Sequence, residues 1–332
     1  MIPWWATEFG EPEKAGVCAA IDARCISQGK VTQEFEERLA EVLGVPYVIC
    51  TTSGTTALTM ALLASYSGLG EHVIVPDRTW IATAHAVMMA GAKVRLHDVD
   101  EQGLLPDVER QTFTRVLPVN LNGRLAVCGP RDIEDSCQAF PAPPRGLAAC
   151  YSLSTAKLIA TGQGGFVATR DEAFAQECRA LRTHDVADAM VPQILIWRRW
   201  GYNFRFTDIQ AAIGLAQLER LQDRLYNIGS IHALYKVLGV PVLDSPTPLY
   251  NEILHPEPER LRAHLLSHGI EARPFYPPLH TAPYLRPAHK TGYSDYEFPN
   301  AMKFSKGLFL PSGPNQALAD IEKVAAAFHD FR

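Results

Sequence analysis

Short apolar runs alternate with helical patterns through the first two-thirds of this 332-residue chain, and that alternation limits the fold more than anything else in it. Tyr47-Val48-Ile49-Cys50 reads as a buried strand running into Ser53-Gly54-Thr55-Thr56 and an Ala/Leu-rich helix. His72–Pro76 is a second strand, followed by a helix from about Ile81 to Ala90. Lys93–His97, Val116–Asn120, Ile133–Asp135 and Phe166–Thr169 have the same character. Strands interleaved with helices predict an α/β fold, a mostly parallel sheet with helices on both faces. The length allows two domains, or one large domain with an appendage.

Beyond Asp171 a helix carries Phe174, Cys178 and Leu181 on one stripe, which is core packing. A longer helix is expected from Asp208 to about Arg224, with Thr207 and Gln210 in capping-box spacing. Proline density then rises, at Pro241, Pro246, Pro248, Pro256 and Pro258, and marks a boundary near 226–245. The expected division is a large domain over 1–235 and a small C-terminal α+β domain over 236–332, with the N-terminal segment packing on the small one. In the latter, a helix begins at Pro258 and stops at Gly269, and a final helix carries Ile321, Val324, Ala325 and Phe328. His264 and His268 are four apart, but no third ligand converges on them, so a solvated face is expected.

A net charge of -5 gives no electrostatic footprint for nucleic acid. No run of about twenty apolar residues exists to span a membrane. The first residues lack a basic start followed by an apolar stretch, so no signal peptide is expected and the cytoplasm is the expected compartment. Seven cysteines without CxxC or Cys/His ligand spacing read as free thiols, not as a zinc site.

The chemistry centres on Lys157. It ends the segment Ser152-Leu-Ser-Thr-Ala-Lys157, just downstream of Ile133-Glu-Asp-Ser-Cys-Gln138. A lysine, an acidic strand end and a serine are what a chain needs to hold pyridoxal 5'-phosphate (PLP). The amine bonds to the cofactor aldehyde, the aspartate keeps the pyridine protonated, and the hydroxyl binds the phosphate. A lone lysine after a strand is usually a surface charge; here its neighbours change the reading. Thr52–Thr56 lies where a strand turns into a helix, a place where exposed amides and the helix dipole favour an anion. Trp80 follows a strand end and offers a flat ring for stacking, although a core tryptophan is the commoner use. Asp135, buried at a strand end, needs a cationic partner, and a protonated pyridine would serve. Such contact moves a pKa by roughly 1–3 units, enough to keep the ring nitrogen protonated near neutral pH.

In this order the motifs resemble the DegT/StrS-type family of PLP-dependent nucleotide-sugar aminotransferases. The likeness runs roughly from Cys25 to Gly313. It includes Ser27–Phe35, Ile74–Asp100, Leu117–Gly123, Gly164–Thr169 and the highly specific stretch Gly201–Arg220. The resemblance implies a fold-type I architecture, with a large doubly wound PLP domain, a small C-terminal domain and a homodimer sharing its active sites. It assigns Lys157 to the covalent bond, Trp80 to ring stacking, Asp135 to the pyridine nitrogen and Gln138 to the ring hydroxyl. Thr55, Thr56 and Ser152 match phosphate ligands, and Asn203 matches an asparagine that reaches the neighbouring subunit's cofactor. Gly269–His280 and Leu310–Gly313 look most like the branch that includes perosamine synthase, which aminates a GDP-linked 4-keto-6-deoxy sugar. Arg273, Tyr276 and His280, with His184 and Arg205, are then the candidate substrate-side residues, and glutamate is the expected amino donor. Pro-flanked surface structure is the competing reading for the first three.

The chain departs from the family pattern in three places. Only Arg124–Glu134 separates two strands that the family joins through a full crossover helix, so an extended loop with Gly129-Pro130 is expected. The loop after Gln138 is also short, and Gln163 stands where an acidic residue is common. These trims touch scaffold and substrate entrance and leave amination at carbon 3 or carbon 4 open. Two rivals remain. A PLP-dependent sugar dehydratase would carry histidine in place of Lys157, and a non-catalytic regulatory homologue would not require Lys157, Asp135 and Asn203 together.

Overall fold

A computed structural model describes residues 1–65, 70–109, 114–185, 200–285 and 294–332. Two helices, α1 (Glu11–Asp22) and α2 (Lys30–Leu43), precede the sheet. Then follow β1 (Tyr47–Thr51), α3 (Gly54–Ala64), β2 (His72–Pro76), α4 (Ala82–Met89), β3 (Lys93–His97) and β4 (Thr114–Val116). The next strands are β5 (Ile133–Asp135), β6 (Ala148–Ser152) and β7 (Gly165–Thr169), and the helices α5 (Glu172–Arg182), α6 (Asp208–Glu219) and α7 (Leu221–Val237) close this part. The C-terminal elements are β8 (Asn251–Leu254), α8 (Pro258–Ser267), β9 (Arg273–Pro274), α9 (Pro299–Phe304), β10 (Gly307–Leu310) and α10 (Leu318–Asp330).

The strands β1-β7-β6-β5 form one ribbon and β3-β2-β4 another. A parallel bridge between Val119 and Asp135 stitches them, with Asp135 N donating to Pro118 O at 2.9 Å and Asn120 N to Asp135 O at 2.8 Å. The result is a mostly parallel sheet in which β7 runs against both its neighbours. Strands buried on both faces should read as continuous apolar runs, and the parallel β2 and the antiparallel β7 both do. β6 escapes that pattern. Ala148-Ala149-Cys150-Tyr151 is wholly buried but made mostly of small residues with little strand preference.

Two further differences have local causes. The expected helix over 208–224 breaks at Arg220, whose amide bonds back to Gln217 O at 3.3 Å and whose side chain reaches Glu13. The connection from Arg124 to Asp132 carries no helix, as its length required. A buried polar knot holds it in place of helix packing. Arg145 donates to Glu134, Asn120 Oδ1 and Ala126 O, and Asn120 Nδ2 donates to Glu134 and Ser136.

A large core of α2, α3, α4 and the strands lies under the sheet. A second core gathers Ile253, Leu261, Leu265, Leu308, Ile321 and Val324 around the antiparallel sheet β8-β10-β9. Ile231 and Tyr235 of α7 belong to that second core, so this helix runs from one core into the other. Ile2 pairs with Ile270 and Trp5 with Ser312, which lays the N-terminal segment along the C-terminal elements. All seven cysteines are unpaired. No helix of the described residues is long and apolar enough to cross a membrane.

Candidate active site

The site forms where strand ends, a helix start and the C-terminal elements meet. At the start of α3, Ser53 accepts from Thr56 N at 3.1 Å, and Thr56 Oγ1 accepts from Ser53 N at 2.9 Å. This capping box turns the chain so that the first amides of the helix, which have no partner inside it, face outward. Glycine is required at two points here. A Cβ on Gly54 would stand 2.8 Å from Cys137 Sγ and 3.0 Å from Ser152 Cβ, and one on Gly165 would collide with the Ser53–Gly54 backbone. The helix start is thereby pressed against the ends of β6 and β7.

These elements, with parts of the C-terminal unit, enclose a cavity of about 380 Å³. Thr55, Trp80, Asp135, Gln138, Ser152, Lys157, Arg273 and Tyr276 all line it. Side chains from the N-terminal and C-terminal parts of the chain thus share one wall, from Trp4 to Tyr276.

Asp135 is 5% exposed. Its Oδ2 accepts from Thr83 Oγ1 at 2.7 Å and its Oδ1 from Cys137 N at 3.1 Å. Among the described residues it has no cationic partner within ion-pair distance. Gln138 is also buried, and its Oε1 has no hydrogen-bond partner among the described residues. A buried carboxylate without a cation and a buried amide oxygen without a donor mark a wall built for a ligand that supplies both. Lys157 Nζ donates to the Tyr250 hydroxyl at 3.4 Å, and that hydroxyl donates to Ala156 O at 2.9 Å. Burial pushes the Tyr250 phenol well above its ordinary value, so it stays neutral and accepts from the lysine. Burial likewise raises the Cys137 thiol, with the Asp135 charge adding to it, so this cysteine is no nucleophile. Trp80 is 54% exposed and meets Tyr276 edge-on, with ring centroids 5.0 Å apart.

The remaining candidates lie outside the cavity lining. Thr56 spends its hydroxyl in the cap, in contact with the hydroxyls of Thr51 and Thr52. Asn203 is exposed and accepts from Arg205 Nε at 2.9 Å, while Arg205 bridges to Thr51 on the sheet edge. His184 is exposed, with φ of 60° and Nδ1 3.3 Å from Gly201 O. His280 is buried away from the cavity. Its backbone N and Nδ1 lie 2.7 and 2.6 Å from the two Asp77 oxygens, Nε2 lies 3.1 Å from Asp295, and the ring stacks on Phe298. The family resemblance suggested a substrate-facing histidine and the flanking prolines a surface one; His280 is instead a buried anchor between the end of β2 and the C-terminal unit.

Three residues of the site carry no signal in the sequence that singles them out: Thr83, Tyr250 and Trp4. The spacing of Thr79 and Thr83, one helical turn apart, is the only local hint, since Thr83 also bonds Thr79 at 2.9 Å. Tyr250 and Trp4 sit in no motif.

The family model described as the DegT/DnrJ/EryC1/StrS aminotransferase family matches residues 8–329. The chain belongs to this family. It is a PLP-dependent sugar aminotransferase. It is similar to the GDP-perosamine synthase of Caulobacter vibrioides, with 32% identity over 356 residues that cover 95% of this chain and 94% of that one. Among solved structures, DesV of S. venezuelae superposes with a TM-score of 0.84 at 24% identity, covering 95% of this chain and 92% of that one. GDP-4-keto-6-deoxymannose-3-dehydratase (ColD) reaches 0.85 at 20% identity, covering 99% and 100%. At these identities the structures speak for the fold, which transaminases and a dehydratase of the family share.

Proposed function

We propose that this aminotransferase moves an amino group from glutamate to the keto carbon of a nucleotide-linked keto-deoxy sugar, with a GDP-linked 4-keto-6-deoxy sugar as the favoured acceptor. The observation that carries the reading is the convergence of Lys157 with a buried Asp135, which has no cationic partner among the described residues, in one cavity. The 32% identity to a GDP-perosamine synthase over nearly the whole chain supports the acceptor class.

The residues present fit PLP. Asp135 supplies a charge for a pyridinium, and the unsatisfied Gln138 amide suits a ring hydroxyl. Trp80 offers a ring face, while Ser152, Thr55 and the first amides of α3 suit a phosphate. When bound, the cofactor supplies an aldehyde that takes up the amino group and an electron-poor ring that steadies a carbanion.

The chain's own groups do the rest. Thr83 and the Cys137 amide keep the Asp135 carboxylate fixed, so its charge is already oriented before any ligand arrives. Lys157 Nζ is the cavity's mobile proton carrier, able to take a proton from one carbon and return it to another within the same wall. Tyr250, neutral and anchored to Ala156 O, gives Nζ a fixed resting partner. A lysine at position 157 also speaks against the dehydratase reading, which calls for histidine there.

A homodimer is part of the proposal. Asn203 is exposed, pairs with Thr183 and accepts from Arg205, which itself bridges to Thr51 at the sheet edge. That position suits contact with a second subunit's cofactor phosphate. The test is incubation of the PLP-loaded enzyme with glutamate and several nucleotide-linked keto sugars, read by mass analysis of the sugar product. Gain of one amino group by a GDP-linked 4-keto sugar is expected. Product that has lost oxygen without gaining nitrogen would overturn the reading, and amination of another nucleotide or of a 3-keto sugar would overturn the acceptor.

A further inference from the structure

One part of the cavity wall has no task in the chemistry above. Arg273 lines the cavity, and apart from Lys157 it is the only cationic side chain among the described residues that does so. Its guanidinium is held in place from two directions. Nε and Nη2 donate to Glu271 Oε1 at 3.0 and 2.9 Å, and Cζ lies 4.3 Å from the centroid of the Trp4 ring. The other Glu271 oxygen accepts from Trp4 N at 3.0 Å. One carboxylate therefore grips both the guanidinium and the residue whose ring carries it. The Trp4 amide and then the Arg273 guanidinium hold this carboxyl below its ordinary value, so it remains charged.

Trp4 also stacks on Tyr250, with centroids 5.4 Å apart and planes at 26°. The Tyr250 hydroxyl is the partner of Lys157 Nζ. The indole Nε1 is buried with no hydrogen-bond partner among the described residues. The ring is thus positioned by its stacked neighbours and by its backbone. That backbone is well pinned: Ile2 N to Gly269 O at 2.7 Å, Glu271 N to Ile2 O at 3.0 Å and Ser312 N to Trp4 O at 2.8 Å.

Arginine carries five N–H donors in a planar fork suited to carboxylate and phosphate oxygens. Glu271 takes two of them, and the other three have no partner among the described residues. We propose that Arg273 is the cation that docks a substrate oxyanion in this cavity, and that Trp4 is a positioning residue that aims it and, through Tyr250, sets its distance from Lys157. The oxyanion is either the carboxylate of the amino donor or the diphosphate of the nucleotide sugar. The inference rests on the proposed transamination and assigns the recognition of its charged substrates.

The test uses PLP-loaded wild type, Arg273→Gln, Trp4→Leu and Trp4→Phe. The visible band of bound cofactor reports each half-reaction separately, with glutamate alone or, after amination, with the nucleotide keto sugar. In Arg273→Gln, one half-reaction needs about tenfold or more substrate for half-saturation, with a much smaller change in its limiting rate. A change on the glutamate side identifies the carboxylate, and one on the sugar side the diphosphate. Trp4→Leu moves the same half-reaction in the same direction, and Trp4→Phe, which keeps a stacking ring, restores most of it. Unchanged saturation in both half-reactions of Arg273→Gln overturns the docking role. A changed Arg273→Gln beside an unchanged Trp4→Leu overturns the positioning role. Wild type that reacts with glutamate but with no nucleotide sugar overturns the proposed acceptor instead, while the glutamate arm still decides this inference.

Discussion

Thr83 gives its hydroxyl proton to Asp135 across 2.7 Å, tying the first turn of α4 to the end of β5. The Thr83 hydroxyl has one proton, which faces Asp135 Oδ2 at 2.7 Å and Trp80 O at 3.0 Å; both oxygens are acceptors, so the Thr79 hydroxyl must donate to Thr83 at 2.9 Å. The Asp135 carboxylate is therefore oriented by two linked threonines, Thr79 and Thr83, that flank Trp80 at the start of this helix. Thr83→Val keeps the shape and removes the donor. Hydrogen bonds to charged groups are worth about 1.5–3 kcal/mol, and part of that is expected as PLP affinity weakened by about threefold to tenfold. Titration of apoenzyme with PLP, followed by the visible band, checks it; unchanged affinity would remove Thr83 from the site.

Lys157→Ala is expected to cost turnover by at least about 10²–10⁴-fold, since it removes the only lysine among the described residues of the cavity wall. Borohydride should fix PLP to the wild-type chain and not to the variant, and intact mass reads the difference. A borohydride-stable adduct on the alanine variant would move the covalent attachment elsewhere.

Gly165→Ala forces a methyl group into the Ser53–Gly54 backbone, where neither partner has a flexible end to move. Overpacking of this kind costs about 1–3 kcal/mol, so the thermal midpoint should fall and PLP binding should weaken with it. Gly229→Ala is the control. It lies inside α7 with nothing within 4 Å of its would-be Cβ, so the same substitution should stabilise by about 0.5–1 kcal/mol. Equal melting behaviour of the two variants would contradict the packing argument.

The His280–Asp77 pair makes stability depend on pH. Burial works against a charged imidazole, but the hydrogen bond and charge of Asp77, with Asp295, outweigh it and hold the His280 pKa above 6.5. A raised folded-state pKa means stabilisation that is complete below the unfolded value and is lost as pH rises through the folded one. Thermal midpoints of wild type should therefore decline relative to His280→Gln from about pH 6.5 upward. Parallel curves for the two proteins across that range would show that folding does not raise the pKa of this ring.

Much of the cavity wall proposed to hold the cofactor is legible in the order of residues alone. Lys157, Asp135, Gln138, Ser152, Thr55 and Trp80 sit at strand ends and helix starts, where local sequence reports backbone geometry, and all six line the cavity. The substrate side is less so. Arg273 and Tyr276 reach the cavity while His280, four residues beyond Tyr276, turns into the protein, because the buried Asp77 offers it two acceptors. Thr83, Tyr250 and Trp4 act through neighbours remote in the chain, and no motif records such partners.

Periodicity and turn chemistry, which depend on residues close in sequence, were enough to name the strands around β1, β2, β3, β5 and β7 and the helix that starts at Ser53. They were not enough for β6, whose small residues become strand only because β5 and β7 flank them. Tertiary structure alone decided that Trp4 would lie against Arg273 and Tyr250, since those contacts exist only after the N-terminal segment pairs with Ile270 and Ser312. Hydrogen bonds and stacking between segments some 250 residues apart form only in the folded chain, and their geometry is set by packing.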